Sequence, residues 1–292
     1  MLSKEKVVLL TLSLLLGLLV SVGFSVTTEG SINANVVNLF EKYQNKEEND
    51  LIKDIKKLNK TEIIAEINLL SDGNSDILIS SSILIPFASA LVEKKSEISN
   101  EEIINQITEE NNTIITKHIL VDLFFQKNSN NKEVRREIKR LLVDNRIDKA
   151  IKVKILMDSD VESSDEPILL NNISNNDDEI AFVSMKKLSQ VNLEKAYEIS
   201  KEIIKNKDTE SKHKISAALK ATSKFLNENK DNHDYDELEA SFIEESKSVM
   251  AKTEDKFLSD SAFFSISDLM SENAILSIIV PRVCSLSRWS VF

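Results

Sequence analysis

The sequence predicts an all-α fold, built from stacked antiparallel helix pairs that follow an N-terminal signal or anchor segment. Three observations predict it: few glycines and prolines, recurrent helix-start signals, and apolar residues at helical spacing. The 292 residues include only four glycines and three prolines. Strand hairpins and phosphate-binding loops need the backbone freedom that glycine supplies, so this composition argues against both.

Helix-start signals recur along the chain. Each pairs a short polar residue with a glutamate three positions later, so that the two side chains can satisfy backbone N–H groups at a helix N-terminus. The candidate pairs are Asn59 with Glu62, Ser99 with Glu102, Asn130 with Glu133, Asn176 with Glu179, and Asp234 with Glu237. They predict a series of helices joined by short polar turns.

Apolar residues follow these signals at the spacing of one helix face. Val134, Ile138 and Leu141 form one such stripe in the sequence. A one-sided stripe must be buried against a neighbouring helix. The apolar stretch from Ile77 to Ile85 is interpreted as a buried helix kinked at Pro86, with two short strands as the alternative.

A weak internal repeat accompanies the helices. Leu70, Ile107 and Ile173 each precede a short polar turn, and each is followed two helical turns later by another isoleucine. The spacing corresponds to a period of roughly 35 residues, which is typical of stacked helix pairs. In such arrays no single pair can bury its own apolar face, so neighbouring pairs must pack together.

Two stretches are similar to the second helix of a HEAT repeat, which opens with an acidic turn before a helical apolar pattern. They are Asn131-Lys132-Glu133-Val134-Arg135 and Asp177-Asp178-Glu179-Ile180 with Ser184 and Leu188, the latter preceded by Pro167. Over residues 60–226 the chain therefore resembles the HEAT-repeat family. The resemblance implies an α-solenoid that serves as a binding scaffold, and it transfers no catalytic residues.

The N-terminus has the pattern of a secretory signal. Lys4 and Lys6 precede an apolar run from Val7 to Val22, and small residues follow it. A charged start, an apolar middle and small residues before a cleavage point are the features of a signal peptide, here residues 1–25.

A retained membrane anchor is the alternative to cleavage. The apolar run is shorter than the ~20 residues that cross a bilayer, but residues 7–26 come closer to that length. Either interpretation places the rest of the protein outside the cytoplasm, secreted or at the cell surface. Residues 26–59 are then N-terminal helices or a linker, and residues 60–274 are the helical-repeat domain.

The stretch from 275 to 292 differs in composition from everything before it. It is apolar, has no acidic residue, and contains the only tryptophan and the only cysteine, Cys284. With one cysteine no intrachain disulfide can form. Three interpretations stay open: a cap on the helical array, an unstructured or aberrant end, or a self-association or membrane-surface contact through Arg282, Arg288 and Trp289.

The net charge of -11 argues against a nucleic-acid partner, because nucleic-acid-binding proteins carry a basic face. One cationic run stands out, and it is interpreted as solvated helix surface, with an anion or lipid-headgroup site as the alternative. Its members are Arg135, Arg136, Lys139, Arg140, Arg146 and Lys149.

No motif in the sequence predicts catalysis or metal binding. His118, His213 and His233 are too far apart for a metal-ligand spacing, and the first two are interpreted as ordinary helix residues. His233 lies in an acidic connection between helices. The segment from Asp158 to Glu162 has oxygens at the first positions of a calcium loop, but Ser163 replaces the glycine that such a loop requires.

The function predicted is that of a non-catalytic, extracytoplasmic helical-repeat scaffold that binds a protein or peptide. The alternative is a membrane-tethered structural or assembly factor, and an uncharacterised enzyme is the third possibility. No catalytic, cofactor-binding or metal-binding residue is predicted, no cofactor is expected, and the partner-binding residues and oligomeric state stay open. An exposed apolar or acidic groove along the second helices would favour binding over a structural role.

Overall fold

The computed structural model describes residues 48–71, 77–174, 177–231 and 233–269, and their side chains except those of 48–49 and 77–83. Within these ranges the chain forms thirteen α-helices and two short 3-10 helices, with no strand. The all-α prediction is confirmed for this part of the chain. The signal or anchor segment and the 275–292 stretch lie outside the described residues.

The described residues up to Ser159 form one compact unit, called unit 1. It contains seven α-helices and one 3-10 helix at Arg140–Val143. The α-helices are α1 (Glu48–Lys57), α2 (Lys60–Ser71), α3 (Ile77–Glu93), α4 (Asn100–Thr108), α5 (Ile114–Lys127), α6 (Lys132–Lys139) and α7 (Lys149–Asp158).

The described residues from Asp160 onward form a second compact unit, called unit 2. A 3-10 helix at Ser163–Asp165 is followed by six α-helices. These are α8 (Glu166–Ser174), α9 (Asp178–Val191), α10 (Leu193–Lys205), α11 (Lys212–Glu228), α12 (Tyr235–Lys252) and α13 (Lys256–Ser267).

Two of the predicted start signals form reciprocal caps. The Asn59 side chain accepts a hydrogen bond from the backbone N–H of Glu62 at 3.0 Å, and the Glu62 carboxylate accepts one from the Asn59 N–H at 2.7 Å. Ser99 and Glu102 make the same pair of bonds at the start of α4. Each cap satisfies N–H groups that a helix start otherwise leaves unpaired.

The remaining start signals differ from the prediction. The cap of α6 is Asn131 rather than Asn130, and its side chain accepts from the Val134 N–H. Asp177 caps α9 through the N–H groups of Glu179 and Ile180, and Asn176 lies outside the described residues. Asp234 precedes α12 without a side-chain capping bond. Adjacent polar residues are equally able to cap, so sequence alone leaves a one-residue ambiguity.

The apolar stretch before Pro86 is helical, as predicted. It belongs to α3, which continues through Pro86 as far as Glu93. Phe87 and Leu91 of this helix are fully buried, and so is Ile67 on α2, which packs against it. Burial of Phe87 and Leu91 beside α2 stabilises the part of α3 that follows Pro86.

The weak repeat marks the turns within helix pairs. Leu70 and Ile107 are buried at the ends of α2 and α4, and Ile173 is buried at the end of α8. The isoleucines that follow them begin α3 and α5 and lie in the first turn of α9. The two-turn spacing between each of these residues and the isoleucine that follows it therefore runs from the end of one helix, across a turn, to the start of the next helix.

Helices pack in pairs along the chain and across successive pairs. In unit 1, α4 packs on α5, α6 on α7, and α5 on α7, while α2 contacts both α3 and α5. In unit 2 the pairs are α8 with α9, α10 with α11, and α12 with α13. The later helix of each of these pairs is called the second helix. In unit 2 the three second helices also pack in the order α9, α11, α13.

Polar contacts give the direction in which neighbouring second helices run. Between α11 and α13, Lys212 pairs with Asp255 at 2.7 Å, and Ser216 bonds Ser261 at 2.7 Å. Both contacts advance in the same order along the two helices, so α11 and α13 are parallel. Between α5 and α7 the Lys117–Asp148 and Asp122–Lys154 ion pairs indicate the same parallel arrangement.

Candidate functional site

A cluster of charged side chains lies between α5 and α7 in unit 1. The Lys154 ammonium contacts the Asp122 carboxylate at 2.5 Å and the Asp158 carboxylate at 2.7 Å. The Lys154 side chain is 9% exposed, and those of Asp122 and Asp158 are 21% and 29% exposed. A lysine so thoroughly buried requires carboxylate partners, because an unpaired buried charge is strongly unfavourable.

Helical spacing builds this cluster from two short patterns. His118 and Asp122 are one turn apart on α5, and Lys154 and Asp158 are one turn apart on α7. Residues four positions apart share a helix face, so each helix presents two ionisable groups to the other. The parallel packing of α5 on α7 brings the two patterns together.

Burial dominates the electrostatics of the cluster. It raises the pKa of Asp122 in spite of the attraction of Lys154, and the nearby Asp158 carboxylate adds to the increase. Burial acts against the charge of Lys154, yet the charges of Asp122 and Asp158 together with their hydrogen bonds raise the pKa of that ammonium. Lys154 therefore stays charged and holds the two carboxylates next to each other.

His118 stands beside this cluster as a neutral imidazole. Burial, and secondarily the charge of Lys154, lowers the pKa of His118 to about 4, while Asp158 opposes the decrease. Both ring nitrogens are covered from solvent and have no hydrogen-bond partner among the described residues. A general base must reach the proton that it abstracts, and these nitrogens are closed to a substrate. The imidazole is thus placed to pack rather than to transfer protons.

Stability should depend on pH through His118. The pKa of His118 in the folded state lies below its unfolded value of roughly 6.5, so the unfolded protein takes up the proton first as the pH falls. The stability that the neutral imidazole contributes is therefore present above pH 6.5 and is lost as the pH falls towards 4. Phenylalanine cannot be protonated, so we expect the His118→Phe variant to lose about 2 kcal/mol less unfolding free energy than the wild type between pH 7 and pH 4.5. Urea unfolding at pH 7 and pH 4.5 measures this difference.

Two features of that experiment isolate the imidazole. The raised pKa of Asp122 acts in the opposite direction, since the folded protein then binds a proton more readily as the pH falls. That contribution is shared by both proteins and cancels in the comparison. His233 is exposed before α12, and His233→Phe is the matched control for the same substitution outside the cluster. Identical acid profiles for the wild type and His118→Phe would contradict the assignment.

A row of aromatic and lysine side chains crosses the second helices of unit 2. It draws two residues from each of three consecutive second helices, and it is called the Phe–Lys face. Its members are Phe182 and Lys186 on α9, His213 and Lys220 on α11, and Phe257 and Phe264 on α13.

Direct contacts join the Phe–Lys face across all three helices. The ring of Phe257 lies 6.5 Å from that of Phe182 and 5.3 Å from that of His213, measured between centroids. The Lys220 ammonium lies 5.2 Å from the centroid of the Phe182 ring, within the range of a cation–π contact. Phe182, His213, Lys220 and Phe257 therefore form one continuous surface, and Phe264 lies two helical turns beyond Phe257 on the same side of α13.

The aromatic end of the Phe–Lys face is exposed to solvent. Phe257 is 41% exposed and Phe264 is 59% exposed. They are two helical turns apart and so share one side of α13. The core side of the same helix is occupied by Leu258, Ala262 and Ile266, which are buried. Two large exposed aromatic side chains on one helix side are typical of an interaction surface.

The lysine end of the Phe–Lys face carries uncompensated positive charge. Lys186 and Lys220 have no carboxylate within ion-pair distance among the described residues. Partial burial, and secondarily the charge of Lys186, lowers the pKa of Lys220, and no acidic group opposes the decrease. In a chain with a net charge of -11, two adjacent lysines without a partner form a local cationic site.

The cationic run singled out in the sequence is not a uniform solvated surface. Lys139 is buried, and Arg135 is half-buried with its guanidinium 5.3 Å from the centroid of the Phe125 ring. Arg146 is exposed and binds Asp144 at 2.7 Å. The solvated interpretation is thus wrong for Lys139 and Arg135, whose long side chains pack along α5 and its neighbours. It is right for the exposed Arg136.

The other sequence candidates are dispersed. Asp158 pairs with Lys154 in unit 1, and Glu162 caps the 3-10 helix of unit 2, so two of the calcium-loop oxygens are engaged elsewhere. His213 packs against Phe257, and His233 contacts Asp234 at 2.9 Å in the exposed connection. Among the described residues, no group of three or more His, Cys, Asp or Glu side chains is arranged so that it could hold a metal ion.

No protein-family model matches the chain, and no curated protein or solved structure is significantly similar to it. Within the described ranges, none of the helices has the length and apolar character needed to cross a bilayer. The fold and the two sites thus define an all-helical protein with a buried ion cluster in unit 1 and an exposed aromatic–cationic face in unit 2.

Sequence reasoning missed both sites for different reasons. The ion cluster had a detectable signal, because His118 with Asp122 and Lys154 with Asp158 each repeat at helical spacing in otherwise apolar helices. The sequence signal for the Phe–Lys face was weaker. Phe257 and Phe264 have the spacing of a buried stripe, and only the packing of α13 shows which of its sides faces solvent.

Proposed function

We propose that this protein is a non-catalytic helical-repeat scaffold that acts outside the cytoplasm and binds a protein or peptide through the Phe–Lys face of unit 2. The observation that carries the proposal is the exposure of Phe257 and Phe264 on α13, which packs in a row with the second helices α9 and α11. Repeat proteins bind partners on extended surfaces built from equivalent helices, and this face has that composition.

Two further observations support the scaffold. Helix pairs recur from α4 onward, and second helices pack on one another in parallel, which is the arrangement of an α-solenoid. Pro167 lies in α8 and Asp177 caps α9, as the HEAT resemblance implies for a helix pair. The Asn131 stretch departs from the resemblance, since it opens α6, the earlier helix of its pair.

A contiguous exposed aromatic surface favours partner binding over a purely structural role. Aromatic side chains are enriched in protein interfaces, where they contribute large contact areas, and lysine is depleted there. The lysines that accompany Phe182 therefore suggest a partner that complements their charge. A structural factor has no need to keep two phenylalanines of one helix side in solvent.

Partner binding should depend on the exposed phenylalanines. We expect the double variant Phe257→Ser, Phe264→Ser to bind the native partner at least tenfold more weakly, because hot-spot aromatics contribute about 2 kcal/mol each. The measurement is quantitative affinity capture from cells that produce the protein, followed by titration of the recovered partner.

A matched control separates this surface from general apolar exposure. Val143 and Met157 in unit 1 are 61% and 59% exposed. The double variant Val143→Ser, Met157→Ser should retain the partner. Equal retention by both double variants, with unchanged melting temperatures, would remove the Phe–Lys face from the proposal.

Export should be visible at the N-terminus of the native protein. Cleavage after Ser25 predicts a mature chain that begins at Val26, detectable by mass spectrometry of the purified protein. An intact N-terminus in the membrane fraction would instead indicate the anchor of residues 7–26. An intact N-terminus in the cytoplasmic fraction would overturn both interpretations and with them the extracytoplasmic part of the proposal.

A further inference from the structure

The strongest unexplained feature of unit 2 is the charge at one end of an otherwise aromatic surface. Lys186 and Lys220 lie close enough for their charges to interact, and no carboxylate of the described chain relieves them. Other lysines of the unit find acidic partners: Lys212 pairs with Asp255, and Lys207 pairs with Glu245. Within the described part of the chain Lys205 and Lys230 also lack such a partner, so what distinguishes Lys186 and Lys220 is that they lie together beside the Phe182 ring.

From this arrangement we infer that the Phe–Lys face recognises an acidic peptide segment that also carries apolar or aromatic side chains. The inference rests on the proposed function and specifies the chemistry of the partner. A partner carboxylate binds between Lys186 and Lys220, and its apolar side chains cover Phe257 and Phe264. Both ends of the face are then matched, the cationic end by charge and the aromatic end by burial.

The geometry also sets the spacing that a ligand needs. Lys220 is two helical turns beyond His213, which contacts Phe257, so Lys220 and Phe257 are offset by about 10 Å along α11. An extended peptide rises about 3.3 Å per residue. Successive side chains of an extended peptide point to opposite faces, so only residues two or four positions apart share a face. A carboxylate two or four positions from an aromatic side chain, about 7 or 13 Å away, would therefore reach both Lys220 and Phe257.

Charge and composition favour a peptide over the other ligands that lysines attract. Nucleic acid requires a basic surface that neutralises many phosphates, and the net charge of -11 opposes it. Binding to an anionic membrane also draws on several basic residues together. Two lysines beside phenylalanines can bind one carboxylate of a peptide that has apolar side chains nearby.

The test is fluorescence anisotropy with the full-length protein and a short labelled peptide that has glutamates and phenylalanines together at every second position, so that they share one face of an extended chain. The reference peptide has lysines in place of the glutamates. We expect binding of the acidic peptide only, weakened by added salt because the ion pairs are solvent-accessible. The double variant Lys186→Glu, Lys220→Glu should bind about tenfold more weakly, which corresponds to about 1.4 kcal/mol.

Matched variants exclude indirect effects. Lys205→Glu with Lys230→Glu makes the same change in net charge at exposed positions outside the Phe–Lys face and should leave binding unaltered. Lys186→Gln with Lys220→Gln removes the charges without reversing them and should give an intermediate loss. Unchanged melting temperatures show that each variant is folded.

Several results would overturn the inference. Equal binding of the acidic and the basic peptide would show that charge plays no part in recognition. The same conclusion would follow if the Lys186→Glu, Lys220→Glu variant lost no more affinity than the Lys205→Glu, Lys230→Glu control. Peptide binding that appears only after deletion of residues 275–292 would assign the face to that segment of the chain itself. Binding of vesicles containing phosphatidylserine, lost in the Lys186, Lys220 variant while the peptide does not bind, would assign it to a lipid surface.

The native partner distinguishes a failure of this inference from a failure of the proposed function. If the native partner is lost with Phe257→Ser and Phe264→Ser but retained with Lys186→Glu and Lys220→Glu, the acidic-peptide inference is wrong and the scaffold proposal stands. If the partner is retained by both double variants, both are wrong.

Discussion

Lys154→Met is expected to destabilise the protein by about 2–4 kcal/mol, because it removes the only cation that contacts both Asp122 and Asp158 among the described residues. The two carboxylates would be left largely buried and close together. The two carboxylates are partly exposed, and water stabilises their unpaired charges, so we expect a loss in the lower half of this range. Urea unfolding at pH 7 measures it.

The same substitution has a pH signature that a simple packing defect lacks. Without Lys154, the pKa of Asp122 in the folded state should rise further above its unfolded value. Groups with raised folded-state pKa values add stability as the pH falls, so the loss should shrink in acid. A packing defect would give the same loss at pH 7 and at pH 4.5.

Neutralising the carboxylates provides the control. Asp122→Asn added to Lys154→Met should recover part of the lost stability, since one of the two unpaired charges is then gone. A Lys154→Met variant within about 0.5 kcal/mol of the wild type would show that the cluster contributes little.

Phe124→Ala is expected to cost about 3–5 kcal/mol, the largest single effect that we predict. Phe124 is fully buried on α5, and its ring packs edge-to-face on Phe125 with 6.1 Å between centroids. Because α5 packs on α2, α4 and α7, the cavity would open in a helix that is covered by three neighbours. Thermal and urea unfolding both measure the loss.

Gln126→Ala is the matched control on the same helix. Gln126 is exposed, and its truncation should change stability by less than about 0.5 kcal/mol. A loss below about 1 kcal/mol for Phe124→Ala would mean that α5 is not part of a close-packed core in unit 1.

The fold was largely predictable because local signals agreed with one another. Few glycines, capping pairs such as Ser99 with Glu102, and apolar stripes all indicated helices, and agreement across such levels is what a well-specified fold requires. The turn positions at Leu70 and Ile107 followed from the same spacing. Helix starts were displaced by one residue where neighbouring polar residues compete for the cap, as with Asn131.

The sites were less predictable because they depend on packing between distant residues. Lys154 meets Asp122 only because α7 lies parallel to α5, and no local pattern specifies that arrangement. On α13 both sides carry apolar residues at helical spacing. The sequence therefore cannot tell that Ile266 is buried and Phe264 exposed, because this depends on which side of α13 packs against the neighbouring helices. Periodicity indicates that a stripe exists and leaves its partner undetermined.

The most direct test of the central claim is site-specific photocrosslinking in cells that produce the protein. A photoreactive amino acid replaces Phe264 in one variant and Val143, an equally exposed apolar residue of unit 1, in another. The Phe–Lys face proposal predicts that illumination links a defined protein partner to position 264 and leaves position 143 unlinked. Crosslinking of the same partner at position 143 with none at position 264 would contradict it.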